Sequence, residues 1–161
     1  MLTVHPIPPL YDASSRVLIL GTMPSPKSRE AHFFYAHPQN RFWRVLAAVF
    51  GEPVPESVPE RSLFILSHRL ALWDVLHSCE ISGASDSSIK NPVPNDLSPI
   101  LQTAPIAAVF CTGTKSATLY RKLIQPAAGL PAFTLPSPSP ANCVVPFDRL
   151  CDSYKQILQY L

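Results

Sequence analysis

Val17 to Leu20 form an unbroken apolar run that ends at Gly21, the pattern of a buried strand running into a loop. After a predicted loop over 22–38, Phe42, Val45, Leu46 and Val49 recur at the spacing of one helix face, and Gly51 with Pro53 ends that face. Pro59 and Glu60 open a second helical stretch towards His68. Leu70 to Leu76 is mostly apolar, which suits a strand but does not exclude a helix. Residues 78–99 are rich in Ser, Gly, Asn, Asp and Pro and predict a long loop. Ile106 to Cys111 predicts a strand, and Thr112, Gly113 and Thr114 predict a turn in which Thr114 caps a helix running as far as Pro126. Pro131 to Leu135 supplies another strand, 136–140 a proline-stiffened loop, and Phe147, Leu150, Cys151, Tyr154, Leu158 and Leu161 a closing helix.

Strands alternating with helices imply an α/β fold with a mainly parallel sheet covered on both faces. At 161 residues the chain is expected to form a single domain. Ligands of such sheets collect beyond the carboxyl ends of the strands. The loops after Leu20 and after Leu135 are therefore the first candidates for a site.

Composition narrows the class. Charged residues make up 15% and hydrophobic ones 47%, enough apolar material for a sizeable core and too little charge for a disordered chain. No apolar stretch approaches the roughly 18 residues of a membrane helix, and the first residues, MLTVHPIPPL, lack the pattern of a secretion signal. The expectation is a soluble, cytoplasmic protein without a membrane partner, acting as a monomer. A net charge of +2 is too small to hold DNA by charge alone, so any nucleic-acid contact must be local. Cys79, Cys111, Cys143 and Cys151 form no CxxC pair and stand near no His cluster at ligand spacing, so they are expected to be reduced thiols, with no metal. Nineteen prolines against five glycines imply stiff loops, suited to holding a fixed shape beside a ligand.

Five blocks then stand out in order: VLILGTMPSPKSREAHFFYAHPQNRFW at 17–43, LWDVLHSCE at 72–80, SDSSIKNPVPNDL at 85–97, VFCTGTKSA at 109–117 and LPSPSPAN at 135–142. Together they resemble the uracil-DNA glycosylase superfamily, in its hypoxanthine-DNA glycosylase branch, over nearly the whole chain. The resemblance implies a three-layer α/β/α sandwich with a small, mainly parallel central sheet. It also implies an enzyme that cuts the N-glycosidic bond of a deaminated base in DNA, most often deaminated adenine, and leaves an abasic site without a metal or organic cofactor.

The better-known branch carries an Asp or Asn directly after the opening glycine, whereas here the text is Gly21-Thr22-Met23-Pro24. The hypoxanthine branch places an Asn farther on, which maps onto Asn40 in HPQNRFW and makes it the expected catalytic residue, orienting water through its amide oxygen. By position alone Asn40 is also a helix N-cap, and the two roles are compatible. Gly21 and Thr22 are expected to line the base site, and Phe34 or Tyr35 to stack on an extruded base, with core packing as the alternative for either ring. His37 is a candidate donor to base or phosphate, or a solvated loop residue. Ser137, Pro138, Ser139, Pro140, Ala141 and Asn142 match the segment that the superfamily presses against the DNA; without the resemblance they read as a surface turn. Lys27, Arg29, Arg41 and Lys115 stand beside these loops as possible phosphate contacts, and Asp74 and Asp86 are expected to be structural.

Thr22, Met23 and Ala84 depart from the family pattern, which bears on the range of bases more than on the reaction. The competing readings are a uracil or mismatch-specific thymine glycosylase and a catalytically silent DNA-binding α/β domain. A general hydrolase finds no GxSxG elbow.

Overall fold

The computed structural model describes residues 2–161. The strands are β1 (Leu2–Val4), β2 (Val17–Gly21), β3 (Leu70–Asp74), β4 (Leu76–Glu80), β5 (Lys90–Pro94), β6 (Ala108–Thr112) and β7 (Ala132–Leu135). The helices are α1 (Pro26–Ala31), α2 (Phe42–Phe50), α3 (Val58–Ser67), α4 (Ser98–Thr103), α5 (Thr114–Leu123), α6 (Gln125–Ala128) and α7 (Phe147–Tyr154). Strands β3, β2, β6 and β7 lie side by side in that order, every neighbouring pair parallel.

Alternation along the strands decides which helices cover which face. Val17 and Ile19 of β2, with Leu70 and Leu72 of β3 and Phe110 of β6, pack on α2, α3 and α7 through Phe42, Leu46, Ile65, Leu150 and Tyr154. Leu18 and Leu20, with Ala71, Val109 and Cys111, pack on α4 and α5 through Ile100, Ala117, Leu119 and Tyr120. The result is the expected helix, sheet, helix sandwich. Because β2 is buried along its whole length, it reads as a continuous apolar run.

The helix signals have local causes. The Ser57 hydroxyl accepts the Glu60 N–H at 3.2 Å and donates to the Glu60 carboxylate at 2.8 Å, an N-cap that starts α3 with Pro59 in its first turn. Gly51 ends α2 at φ 66°.

Six expectations are corrected. The 22–38 stretch is not all loop, since it contains α1, which the Ser25 hydroxyl starts by accepting the Ser28 N–H at 3.2 Å. The helix expected to run to Pro126 is α5 only as far as Leu123, and Pro126 lies in the separate α6. The 78–99 stretch is not one long loop, since it contains β4 and β5, which pair antiparallel with each other and with β1 in a second sheet of order β1-β4-β5. Two prolines in β5 masked it, and they are tolerated because β5 is an edge strand. The 70–76 stretch is β3 up to Asp74, after which the chain turns at Val75 into the second sheet. Gly113, at φ 99°, is the N-cap of α5, and Thr114 is that helix's first residue rather than its cap. The closing helix is α-helical only to Tyr154 and continues as a 3-10 helix over Lys155–Tyr160.

Candidate active site

The carboxyl ends of the parallel strands converge on one cavity of about 690 Å³, counting its open mouth. Gly21 ends β2, Asp74 ends β3 and Thr112 ends β6, and all three line it; the loop after β7 adds Ser137, Pro138 and Ser139. Thr22, Met23, Phe34, Tyr35 and Asn40 complete most of the wall.

The floor is tightly built. A Cβ at Gly21 would stand 2.5 Å from Asp74 Oδ1, 3.3 Å from the Tyr35 hydroxyl and 3.6 Å from Thr112 Oγ1. Only glycine lets the carboxylate, the phenol and the threonine meet there. The Tyr35 and Thr112 hydroxyls are hydrogen-bonded at 3.1 Å, and Thr112 Oγ1 also lies 3.4 Å from the Leu20 carbonyl. Burial, reinforced by the Asp74 carboxylate and partly offset by the Thr112 hydrogen bond, holds the Tyr35 phenol far above its ordinary range. It is a neutral hydroxyl at any working pH. Its ring stacks on Phe42 with centroids 3.8 Å apart, and its backbone is left-handed at φ 51°.

Asn40 stands at the entrance to α2. The N-cap of α2 is Arg41 and not Asn40, but Asn40 Oδ1, one residue earlier, still accepts the Phe42 N–H at 2.9 Å while the same side chain lines the cavity. Its own N–H donates to the His37 carbonyl at 2.9 Å. Phe34 lines the cavity although only 2% exposed, and its carbonyl accepts Trp43 Nε1–H at 3.2 Å. Phe33 stacks on Trp43 instead and does not reach the cavity wall.

His37 is not part of the cavity lining; its Nδ1 accepts the Gln39 N–H at 3.1 Å and shapes the turn before Asn40. Ala141 and Asn142 lie outside it as well, along a neighbouring groove that shares Asp86, Ser137 and Ser139 with the cavity and carries Lys115. Pro140 lines neither. Arg41 donates from its guanidinium to the Val145 carbonyl at 2.6 Å and to the Asn142 carbonyl at 2.9 Å, while its N–H donates to the Pro138 carbonyl at 3.1 Å. Arg29 is likewise spent on the Pro24 carbonyl at 2.7 Å. These two cations hold the cavity's loops; Lys27 stands 4.0 Å from Glu30, and Lys115 lines the neighbouring groove.

Sequence reasoning passed over two features. Asp74 was expected to be structural, yet its carboxylate lies in the cavity; its place at the end of an apolar run was the available signal. Val144, beside the Ser-Pro loop, is 85% exposed, more than any other large apolar side chain among the described residues. Nothing in its local pattern marked it. Asp86 at the cavity mouth is raised above the usual carboxylate range by desolvation, with Lys115 acting in the opposite direction. Burial pushes the Cys111 thiol up to about 12, so it is a neutral core residue. All four cysteines are free thiols, and among the described residues no group of three or more His, Cys, Asp or Glu side chains is placed to hold a metal.

Comparison with known proteins places this geometry in context. The profile of the Uracil DNA glycosylase superfamily matches residues 8–161. A protein of Methanosarcina acetivorans named hypoxanthine DNA glycosylase is 33% identical over 136 residues, covering 84% of this chain and 85% of the relative. A Methanosarcina barkeri protein of the same name is 34% identical over 137 residues, with the same coverage. Among solved structures, an NMR structure of a candidate uracil DNA glycosylase from Methanosarcina acetivorans superposes with a TM-score of 0.78 at 28% identity, covering 98% of this chain and 99% of that one.

Proposed function

Since the chain belongs to the uracil DNA glycosylase superfamily, we propose that it removes hypoxanthine from DNA by hydrolysing the N-glycosidic bond of deoxyinosine. The observation that carries the assignment is the single cavity at the strand ends, which brings Gly21, Thr22, Phe34, Tyr35 and Asn40 together with Ser137 to Ser139. These residues are scattered over 119 positions of sequence, from 21 to 139, and the parallel sheet is what gathers them.

In this reading a water attacks C1′ of the deoxyribose as the bond to N9 breaks, and the base departs with the bonding electrons. Asn40 orients that water. Its amide oxygen has two lone pairs: one takes the Phe42 N–H, and the second remains for the water. An amide abstracts no proton effectively, so its contribution is orientation and stabilisation of the positively charged sugar. Phe34 and Tyr35 wall the base, and backbone N–H groups of the loop after Gly21 face its oxygen. Ser137, Pro138 and Ser139 contact the DNA strand at the cavity rim, while Ala141 and Asn142 continue that surface along the groove, with Pro140 stiffening the turn between them. Val144 extends it as an apolar tip able to fill the gap left by an extruded base. His37 supports the turn that positions Asn40. No step in this scheme calls on a metal or organic cofactor. The chain acts as one domain and as a monomer, and its four free thiols suit the reducing cytoplasm.

The test is single-turnover incubation with oligonucleotides carrying hypoxanthine, xanthine, uracil or a G·T mismatch, followed by alkali to cut at abasic sites. The proposal predicts cleavage at hypoxanthine. Intact strands with all four substrates, from folded wild-type protein, would leave the silent DNA-binding domain as the better reading.

A further inference from the structure

In the scheme above the water is oriented by Asn40 at the entrance to α2, while the DNA strand is contacted by Ser137, Pro138 and Ser139 after β7. These groups lie far apart in sequence, and the residue next to Asn40 joins them. Arg41 donates its N–H to the Pro138 carbonyl at 3.1 Å, and its guanidinium to the Asn142 carbonyl at 2.9 Å and the Val145 carbonyl at 2.6 Å. Among the described residues no carboxylate stands within ion-pair distance of that guanidinium, so its bonds go to the loop.

The loop is also braced within itself. The Asn142 side-chain amide donates to the Ser137 carbonyl at 2.9 Å, Ser137 Oγ accepts the Ser139 N–H at 3.2 Å, and Ser139 Oγ accepts the Ala141 N–H at 3.2 Å. Fixing three of its carbonyls therefore places the whole loop, rim residues included. Asn40 is pinned from the other side, where its N–H donates to the His37 carbonyl and its Oδ1 accepts the Phe42 N–H, both at 2.9 Å. Arg41 does not line the cavity, so any part it plays in the chemistry passes through these neighbours.

Hydrolysis needs the water and C1′ in near-attack geometry, and a misplacement of about 1 Å can cost about 100-fold in rate. Building on the glycosylase reading, we propose that Arg41 is a positioning residue that sets the register between the DNA-contacting loop and Asn40. The strand held by the loop then presents C1′ to the water held by the Asn40 amide oxygen. The loop's other tie, the Tyr154 hydroxyl donating to the Pro136 carbonyl at 2.8 Å, runs to α7 and not to Asn40, which makes Tyr154→Phe the control.

Hypoxanthine release is followed in single turnover at saturating deoxyinosine duplex, with R41M and Y154F each made in the wild-type and N40A backgrounds. In the wild-type background R41M should lower the maximal rate at least about tenfold, beyond any loss of DNA affinity. In the N40A background it should cost less than about twofold, because the effects of residues that act through one another do not add. Y154F should cost a similar factor in both. Should R41M melt below wild type, R41K keeps the charge and the stem while giving up the forked donor, and it carries the same expectation. Where N40A is too slow to follow, the NMR signal of the Asn40 side-chain amide gives a second reading. Binding of an uncleavable 2′-fluoro-deoxyinosine duplex should shift it in wild type and leave it nearer its free position in R41M. An equal loss from R41M in both backgrounds, a loss confined to affinity, or the same shift in R41M as in wild type overturns the proposal and leaves the glycosylase reading standing. Wild-type protein that releases no hypoxanthine removes both.

Discussion

At Gly21 the requirement is space. The hypothetical Cβ, 2.5 Å from Asp74 Oδ1, meets a carboxylate fixed by His5 and cannot be absorbed by a flexible side chain. Gly21→Ala should therefore lower stability by about 1–3 kcal/mol, the usual cost of overpacking. It should also cut single-turnover cleavage more than it lowers Tm; equal Tm and activity to wild type would show that the floor is looser than described. Asp86 carries the opposite kind of strain. Its carboxyl is raised in the folded state, so ionising it costs the fold free energy above the usual carboxylate range, and that cost disappears once the pH falls below the unfolded value. Asp86→Asn should raise Tm at pH 7 and leave it unchanged near pH 3; a lower Tm at pH 7 would show that attraction to Lys115 outweighs desolvation. At this scale the sequence was legible in part. Asn40 could be singled out from its block, but its bond to the Phe42 N–H and its place in the cavity needed coordinates. The Asp74 carboxylate is held by His5, 69 positions away, and no local pattern reveals such a partner.

Among the elements, the loop after β7 is tied to α7 by the Tyr154 hydroxyl, which donates to the Pro136 carbonyl at 2.8 Å, and to the entrance of α2 by Arg41. Arg41 holds it through three hydrogen bonds, two from the guanidinium and one from the backbone. Arg41→Met keeps the aliphatic stem and the backbone bond while removing the two charge-assisted ones. We expect a loss of about 1–3 kcal/mol, since bonds to carbonyls from a charged donor are worth about 1.5–3 kcal/mol each before discounting for partial exposure. DNA affinity should fall with it, measured by fluorescence anisotropy on an uncleaved analogue. Unchanged affinity would separate the loop from DNA contact. The periodic helices α2 and α5 and the apolar strands β2 and β6 were readable because each has a strong pattern and buried neighbours. Strand β5, Lys-Asn-Pro-Val-Pro, was not, because an edge strand needs neither β-branched density nor a full ladder of N–H donors.

For the molecule as a whole, parallel order β3-β2-β6-β7 places four strand ends at one edge, and the cavity follows from that topology. Alternation of strand and helix made this arrangement foreseeable. The second sheet was not foreseeable, because β1 has only three residues and lies far in sequence from its partner β4, and β5 carries two prolines. No described helix is long and apolar enough to cross a membrane. The whole-chain account rests on Asn40 doing chemistry inside a cavity built for a single base. Its most direct test is chromatographic detection of free hypoxanthine released from a duplex with one deoxyinosine, comparing wild type with Asn40→Ala at matched Tm. The account predicts release by wild type and a loss of at least about 100-fold in the variant, the scale expected when a group that orients water is removed. Release at wild-type rate by a folded Asn40→Ala protein would contradict it.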